Sequence, residues 1–125
     1  MKSTINTSQA PAPIGPYNQA VMANGMLFVS GQIAINPESG LLITHDLEEE
    51  GHQVMKNLKA ILDEAGLGFE NIVKTTIFLA TMDDFTTINK IYGSYFEGSY
   101  PARETVAVVG LPIGGNVEIS VIAVK

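Results

Sequence analysis

The hydrophobic pattern changes period several times along the chain, and each change marks an element. From Gln19 to Ala23 and from Met26 to Ile33 the apolar residues fall in short β-prone runs. Asn24-Gly25 between them is the dipeptide that favours a type I′ hairpin turn. The second run is broken by Ser30-Gly31-Gln32, and Asn36-Pro37-Glu38-Ser39-Gly40 is a surface turn. The period then becomes helical. Leu47, Val54, Met55, Leu58, Ile61, Leu62 and Ala65 share one face. Asp46 is the expected N-cap, Glu49 fits a capping box and Gly66 is the expected C′ residue. Asn71 to Ala80 reads as a buried strand. A second helix is expected from Asp83 or Asp84 to near Gly98, with Phe85, Ile88, Tyr92, Tyr95 and Phe96 on one face. The stretch from Pro101 to Val124 reads as two strands joined by a Pro/Gly loop. The order, roughly ββ(β)αβαββ, predicts an α+β fold: a sheet of five or six strands with two helices on one face. No repeat, low-complexity tract or linker interrupts residues 1–125, so one domain is expected.

Composition adds an expectation about assembly. Only 16% of residues are charged, against about 25% in an average soluble domain. A small domain cannot hide the resulting excess of apolar surface by itself, so an obligate homo-oligomer is expected. The net charge of −6 argues against binding a nucleic-acid backbone, because no Lys/Arg stripe exists to displace counterions. Cysteine is absent, which excludes disulfides and thiolate nucleophiles and fits a reducing cytoplasm. No apolar core of signal-peptide length follows Met1-Lys2-Ser3-Thr4, and no run approaches the ~20 residues of a membrane span. A cytoplasmic location without membrane association is expected.

Within this apolar chain two charges stand out. Arg103 follows Pro101-Ala102, which holds the backbone extended at the mouth of a strand. Its planar fork suits a carboxylate, and it equally suits an ion pair with Glu118 or across a subunit boundary. Glu118 lies inside Val117-Glu118-Ile119-Ser120-Val121. Alternation puts it on one face with Ser120 and sets Val117, Ile119 and Val121 on the other. A partly buried carboxyl can move protons near neutrality; the alternative is a structural partner for Arg103 or Lys74. Tyr17, after Ile14-Gly15-Pro16, could close a pocket or simply pack. Ser30-Gly31 permits close approach of a ligand or marks a bulge. Asn89 on the second helix could donate to a ligand or face water. Glu48-Glu49-Glu50 reads as a solvated first turn, and nothing local explains Gly51. His45 and His52 lack a third ligand at zinc spacing. Gly114-Gly115 precedes neither a helix nor Lys-Ser/Thr, so no phosphate loop is indicated.

Taken together, these blocks resemble the RidA/YjgF family of enamine/imine deaminases. The resemblance runs through Ile14-Gly15-Pro16-Tyr17, Ser30-Gly31-Gln32-Ile33, Asn57-Leu58-Lys59-Ala60-Ile61-Leu62, Val73-Lys74-Thr75-Thr76-Ile77-Phe78, Asp84-Phe85 with Asn89 and Tyr92, Pro101-Ala102-Arg103 and Val117-Glu118-Ile119. It implies a chorismate-mutase-like α+β fold assembled as a homotrimer, with sites in the clefts between subunits. It implies that Arg103 grips a substrate carboxylate, that Glu118 activates or positions a water, and that Tyr17 closes the pocket. Ser30, Gly31 and Asn89 would line it. The implied substrates are 2-aminoacrylate, 2-iminobutanoate and related 2-imino acids, converted to 2-keto acids and ammonia with no metal or organic cofactor.

Two residues depart from that pattern. Glu104 stands where a small residue is more usual, and would compete with substrate if it reached Arg103. Ser120 replaces a glutamate common two positions after the catalytic one. Two other functions attach to the same resemblance: a regulatory protein that senses 2-keto acids, and a ribonuclease or translation inhibitor, which the acidic charge balance disfavours.

Overall fold

Asn24 and Gly25 both take positive φ, 51° and 72°, the backbone a type I′ turn needs. Strand β2 (Ala20–Ala23) therefore folds directly onto β3 (Met26–Gln32), with Ala23 opposite Met26. The computed structural model describes residues 1–125. Its other strands are β1 (Ser3–Ile5), β4 (Ile72–Leu79), β5 (Ala102–Ala107) and β6 (Val117–Val124), and the sheet order is β1-β2-β3-β6-β4-β5. Two helices, α1 (Leu47–Glu64) and α2 (Phe85–Gly93), make the crossovers from β3 to β4 and from β4 to β5. The sheet is mixed. β6 pairs antiparallel with both β3 and β4, whereas β5 pairs parallel with β4. The α+β architecture with two helices is thus as the pattern predicts. The strand β1, which the polar Ser3-Thr4 conceals in the sequence, is an addition.

Alternation along the strands sorts the sheet into two unlike faces. Leu27 and Val29 of β3, Thr75, Ile77 and Leu79 of β4, and Val117, Ile119, Val121 and Ala123 of β6 are buried in one continuous core with Val54, Met55, Leu58, Ile61 and Leu62 of α1. The opposite face has no helix. Met26, Phe28 and Val106 remain exposed there, with Phe78 and Ile122 half-buried.

The helix ends follow their sequence signals with some corrections. The Asp46 carboxylate accepts from Glu48 N (2.9 Å) as N-cap. Glu49 does not close a capping box; it pairs with His45 at 2.5 Å. At the other end Gly66 has φ +74°, Gly66 N donates to Asp63 O and Leu67 N to Leu62 O. This is the Schellman arrangement that glycine at C′ permits. Helix α2 stops at Gly93, earlier than Gly98, and Tyr95 and Phe96 follow in a turn whose amides reach back three residues. Gly51 is explained by tertiary contact. A Cβ there would lie 3.0 Å from Ile91 Cδ1 and 3.2 Å from Ile88 Cδ1, so glycine allows α1 and α2 to meet closely. No helix is long and apolar enough to cross a membrane.

Glu50 corrects a further expectation. It is not part of a solvated turn but fully buried, one turn before Val54 on the apolar stripe. Its two oxygens accept from Asn116 N (2.7 Å) and Asn116 Nδ2 (2.8 Å), while Asn116 O accepts from Ala80 N. The residue that opens β6 is thereby tied to both α1 and the end of β4.

Candidate active site

The strand register decides where the two singled-out charges lie. Arg103 stands opposite Thr75 on β4, and Glu118 stands opposite Phe78. Residues 75 and 78 are three apart on one strand, so their side chains leave opposite faces of the sheet. Within one chain, Arg103 is on the helix-covered side and Glu118 on the open side. They form no ion pair.

Glu118 occupies a recess of about 60 Å³, shared with Tyr17, Gly31, Gln32, Pro11 and Pro112. That is room for water beside the carboxyl. β3 is irregular against β6 between Val29 and Gln32, and the Glu118 side chain lies directly over Gly31. A Cβ on Gly31 would come within 2.8 Å of Glu118 Cδ, so the break in the hydrophobic run exists to admit this carboxyl. Burial raises its pKa above the ordinary carboxylate value, because no cation or hydrogen-bond donor compensates the lost hydration. Tyr17 is 46% exposed at the rim, and its hydroxyl accepts from Ile14 N (3.3 Å). Ser30 is next to the recess, lining a shallow depression with Tyr17 and Phe28. Its hydroxyl donates to Asn18 O (2.7 Å), which gives it a structural task.

The lead-in from Asn6 to Pro16, whose Pro11, Pro13 and Pro16 bar a helix, walls this recess with Pro11, Ala12 and Ile14 and is held by Gln19, which is buried and not singled out by its sequence context. Its Oε1 accepts from Thr7 N, and its Nε2 donates to the carbonyls of Thr7, Ala10 and Pro11. A segment that cannot form a helix thus has its backbone groups satisfied by one amide side chain.

Arg103 lines a second cleft, of about 420 Å³, with Asn89, Lys90, Tyr92, Gly93, Tyr100 and Pro101. Its guanidinium lies 5.1 Å from the centroid of Tyr92 and 5.8 Å from that of Phe85. These rings fix the planar group and leave its N–H edge without a carboxylate partner. Tyr92 is itself locked by donating to Thr75 Oγ1 (2.9 Å). Its pKa is raised, by burial first, with the Thr75 contact and the Arg103 charge working the other way. Two residues along β5, the buried Thr105 hydroxyl has no hydrogen-bond partner. Buried hydroxyls are seldom left so, and nothing in the local sequence marks it.

Glu104, the residue that threatened to compete for Arg103, points to the other face. Thr76 Oγ1 donates to it (2.5 Å) and Lys74 pairs with it (3.2 Å). These contacts, led by the Thr76 hydrogen bond, lower its pKa. Lys74 is thereby engaged with Glu104 and not with Glu118. Ser120 sits opposite Thr76 on this same face. His45 pairs with Glu49, and His52 Nδ1 meets Tyr95 OH at 2.7 Å.

Fold and site define an α+β protein whose candidate residues are divided between the two faces of one mixed sheet. A family model described as endoribonuclease L-PSP matches residues 7–125. The mouse 2-iminobutanoate/2-iminopropanoate deaminase is 49% identical over 125 residues, covering all of this chain and 93% of that protein. The solved structure of a Rid-family protein from Yersinia pestis superposes with a TM-score of 0.97 at 49% identity, covering the whole of both chains. The structure of Escherichia coli TdcF with bound serine gives a TM-score of 0.94 at 39% identity over 98% of each chain. The chain belongs to the RidA/YjgF family, the one that the endoribonuclease L-PSP model describes.

Proposed function

We propose that this protein hydrolyses reactive 2-imino acids, and the enamines that tautomerise to them, to 2-keto acids and ammonia. The observation that carries the proposal is a pair of opposite charges, Arg103 and Glu118, each half-buried in a cleft and neither paired within the chain. A half-buried charge with no partner is costly unless a ligand completes it. Mouse, human and bovine relatives of 43% to 49% identity carry the deaminase name, and the serine bound to TdcF is a small amino acid with the carboxylate that Arg103 would hold.

In this reading Arg103 takes the substrate carboxylate through two N–H groups. Glu118, with its raised pKa, accepts a proton from a water as that water adds to the C=N carbon. Glu118 returns that proton to the nitrogen, and the carbinolamine then collapses: its hydroxyl proton passes through the same carboxyl to the nitrogen as the C–N bond breaks, ammonia leaves with the electron pair and C=O forms. One water is consumed and one ammonia released. Tyr17 shields the recess, Gly31 leaves space for the carboxyl, and Asn89 contributes an amide to the carboxylate side. The Ser30 hydroxyl, already bonded to Asn18 O, keeps acceptor capacity at the rim.

The placement of the two charges on opposite faces of one sheet supports a site completed by two chains. We infer a homotrimer in which the open face of one subunit meets the β5 edge of the next, each chain acting as one unit over residues 1–125. The uncovered Phe28, Met26 and Val106 support an interface there.

The test generates 2-aminoacrylate with a serine dehydratase and follows pyruvate with and without this protein. Acceleration that disappears with Arg103→Ala is expected. No acceleration at any concentration, or acceleration undiminished by that substitution, rejects the reading. Binding of 2-ketobutyrate without turnover would favour a regulatory role instead. RNA cleavage abolished by Arg103→Ala would favour the ribonuclease role, against which the net charge of −6 speaks.

A further inference from the structure

The cleft that holds Arg103 contains a second cation. Lys90 lines it with Arg103, and no carboxylate of the same chain is among the lining residues. The chain has only seven Lys and Arg against thirteen Asp and Glu, yet two of the seven face this one space. Neither is in an ion pair, since those within the chain are His45–Glu49, Lys59–Asp63 and Lys74–Glu104. Gly93, three residues beyond Lys90 and so adjacent to it on α2, adds a separate observation. A Cβ on Gly93 would meet nothing within 4 Å. Packing therefore does not require glycine there, although glycine is a poor helix former. Its effect is to keep the wall of the cleft low beside the lysine.

We propose that Lys90 is a specificity-determining residue and that the cleft accepts 2-imino dicarboxylates: Arg103 holds the carboxylate next to the imine and Lys90 attracts the distal one. This rests on the deaminase reading and names a substrate class for it. The hydrolysis balances as before, with one water consumed, one ammonia released and a 2-keto dicarboxylate as product. Lys90 also sits in the last turn of α2, where a cation suits the helix dipole. That role is indifferent to the substrate, so a change in substrate preference separates the two.

The experiment forms 2-iminosuccinate and 2-iminobutanoate in situ from aspartate and 2-aminobutanoate with flavin-dependent amino-acid oxidases, and measures imine loss for the wild type, Lys90→Gln and Lys90→Glu. The quantity read is the ratio of kcat/KM for the dicarboxylate to that for the monocarboxylate. An exposed charge pair supports a change of about five-fold in Lys90→Gln and a larger one in Lys90→Glu. The difference should shrink as ionic strength rises. A ratio that is the same in all three proteins overturns the proposal while leaving the deaminase reading intact. If the wild type accelerates loss of neither imine, the deaminase reading falls and this proposal with it.

Discussion

The two faces of the sheet obey different rules, and the candidate site takes one half from each. On the covered face the polar groups are almost all answered: Thr75 by Tyr92, Asn57 by the carbonyls of Ile33 and Ile35, Glu50 by Asn116. The exceptions, Arg103 and Thr105, lie on β5, at the edge where the helices stop covering the strands. On the open face apolar residues such as Phe28 and Val106 stay exposed beside an unanswered Glu118. Unpaired polar groups thus mark where each face is unfinished. A close-packed, satisfied interior gives stability, and the incomplete margins are where a ligand or another chain can be bound.

Removing one half of the candidate site at a time separates what each face contributes. Glu118→Gln should lower kcat by about 100-fold or more, the usual scale for a lost general base, and Arg103→Ala should lower kcat/KM by about 100-fold. The pH and stability effects of losing Glu118 differ in sign from those of losing an ordinary ion pair. Burial raises the Glu118 pKa, so its ionised, working form should be lost on acidification at a pH above the ordinary glutamate value of about 4.3. The acid limb of the rate profile should vanish with glutamine. A carboxyl whose folded pKa is raised contributes most below its unfolded pKa and becomes unfavourable as pH rises through the folded value. Glu118→Gln should therefore be no less stable than the wild type at neutral pH, as read by thermal melting. A marked loss of stability there would show that Glu118 has a structural partner.

Complementation tests whether the halves meet across chains. Arg103→Ala and Glu118→Gln chains, unfolded and refolded together, should recover about a quarter of wild-type activity, because random closed assembly gives that share of sites one intact residue from each parent. Absence of recovery would reject a shared site. Phe28→Asp places a charge on the exposed apolar face, and light scattering should show it reduced to monomers, with activity lost. Gly31→Ala should cost less, about ten-fold in kcat. The new methyl meets the end of the flexible Glu118 side chain, so it displaces that carboxyl with little effect on melting temperature. Glu104→Ala should have the smallest effect, leaving kcat/KM unchanged, since its contacts are with Thr76 and Lys74 and not with Arg103.

Much of this was legible in local sequence because the signals are local. The type I′ turn at Asn24-Gly25, the Asp46 cap, the Gly66 terminus and the apolar stripe of α1 each depend on residues within a turn or two. The alternation of β6 correctly set Glu118 against Val117 and Ile119. Even Glu50 left a trace, since it falls on the stripe between Leu47 and Val54, although a run of three glutamates disguises it. Gln19 and Thr105 left none. Their significance comes from a lead-in segment and a cleft that local sequence does not bring to them.

The chain's own pattern determined which residues belong to strands and helices and, within each strand, which side chains share a face. Tertiary pairing alone decided how those faces line up between strands. The last two strands look like neighbours along the chain, but β4 lies between them, and the matches Thr75 with Arg103 and Phe78 with Glu118 send the two charges to opposite sides. Alternation has a period of two and carries no absolute phase. Only the long-range hydrogen bonds that fix the register supply it.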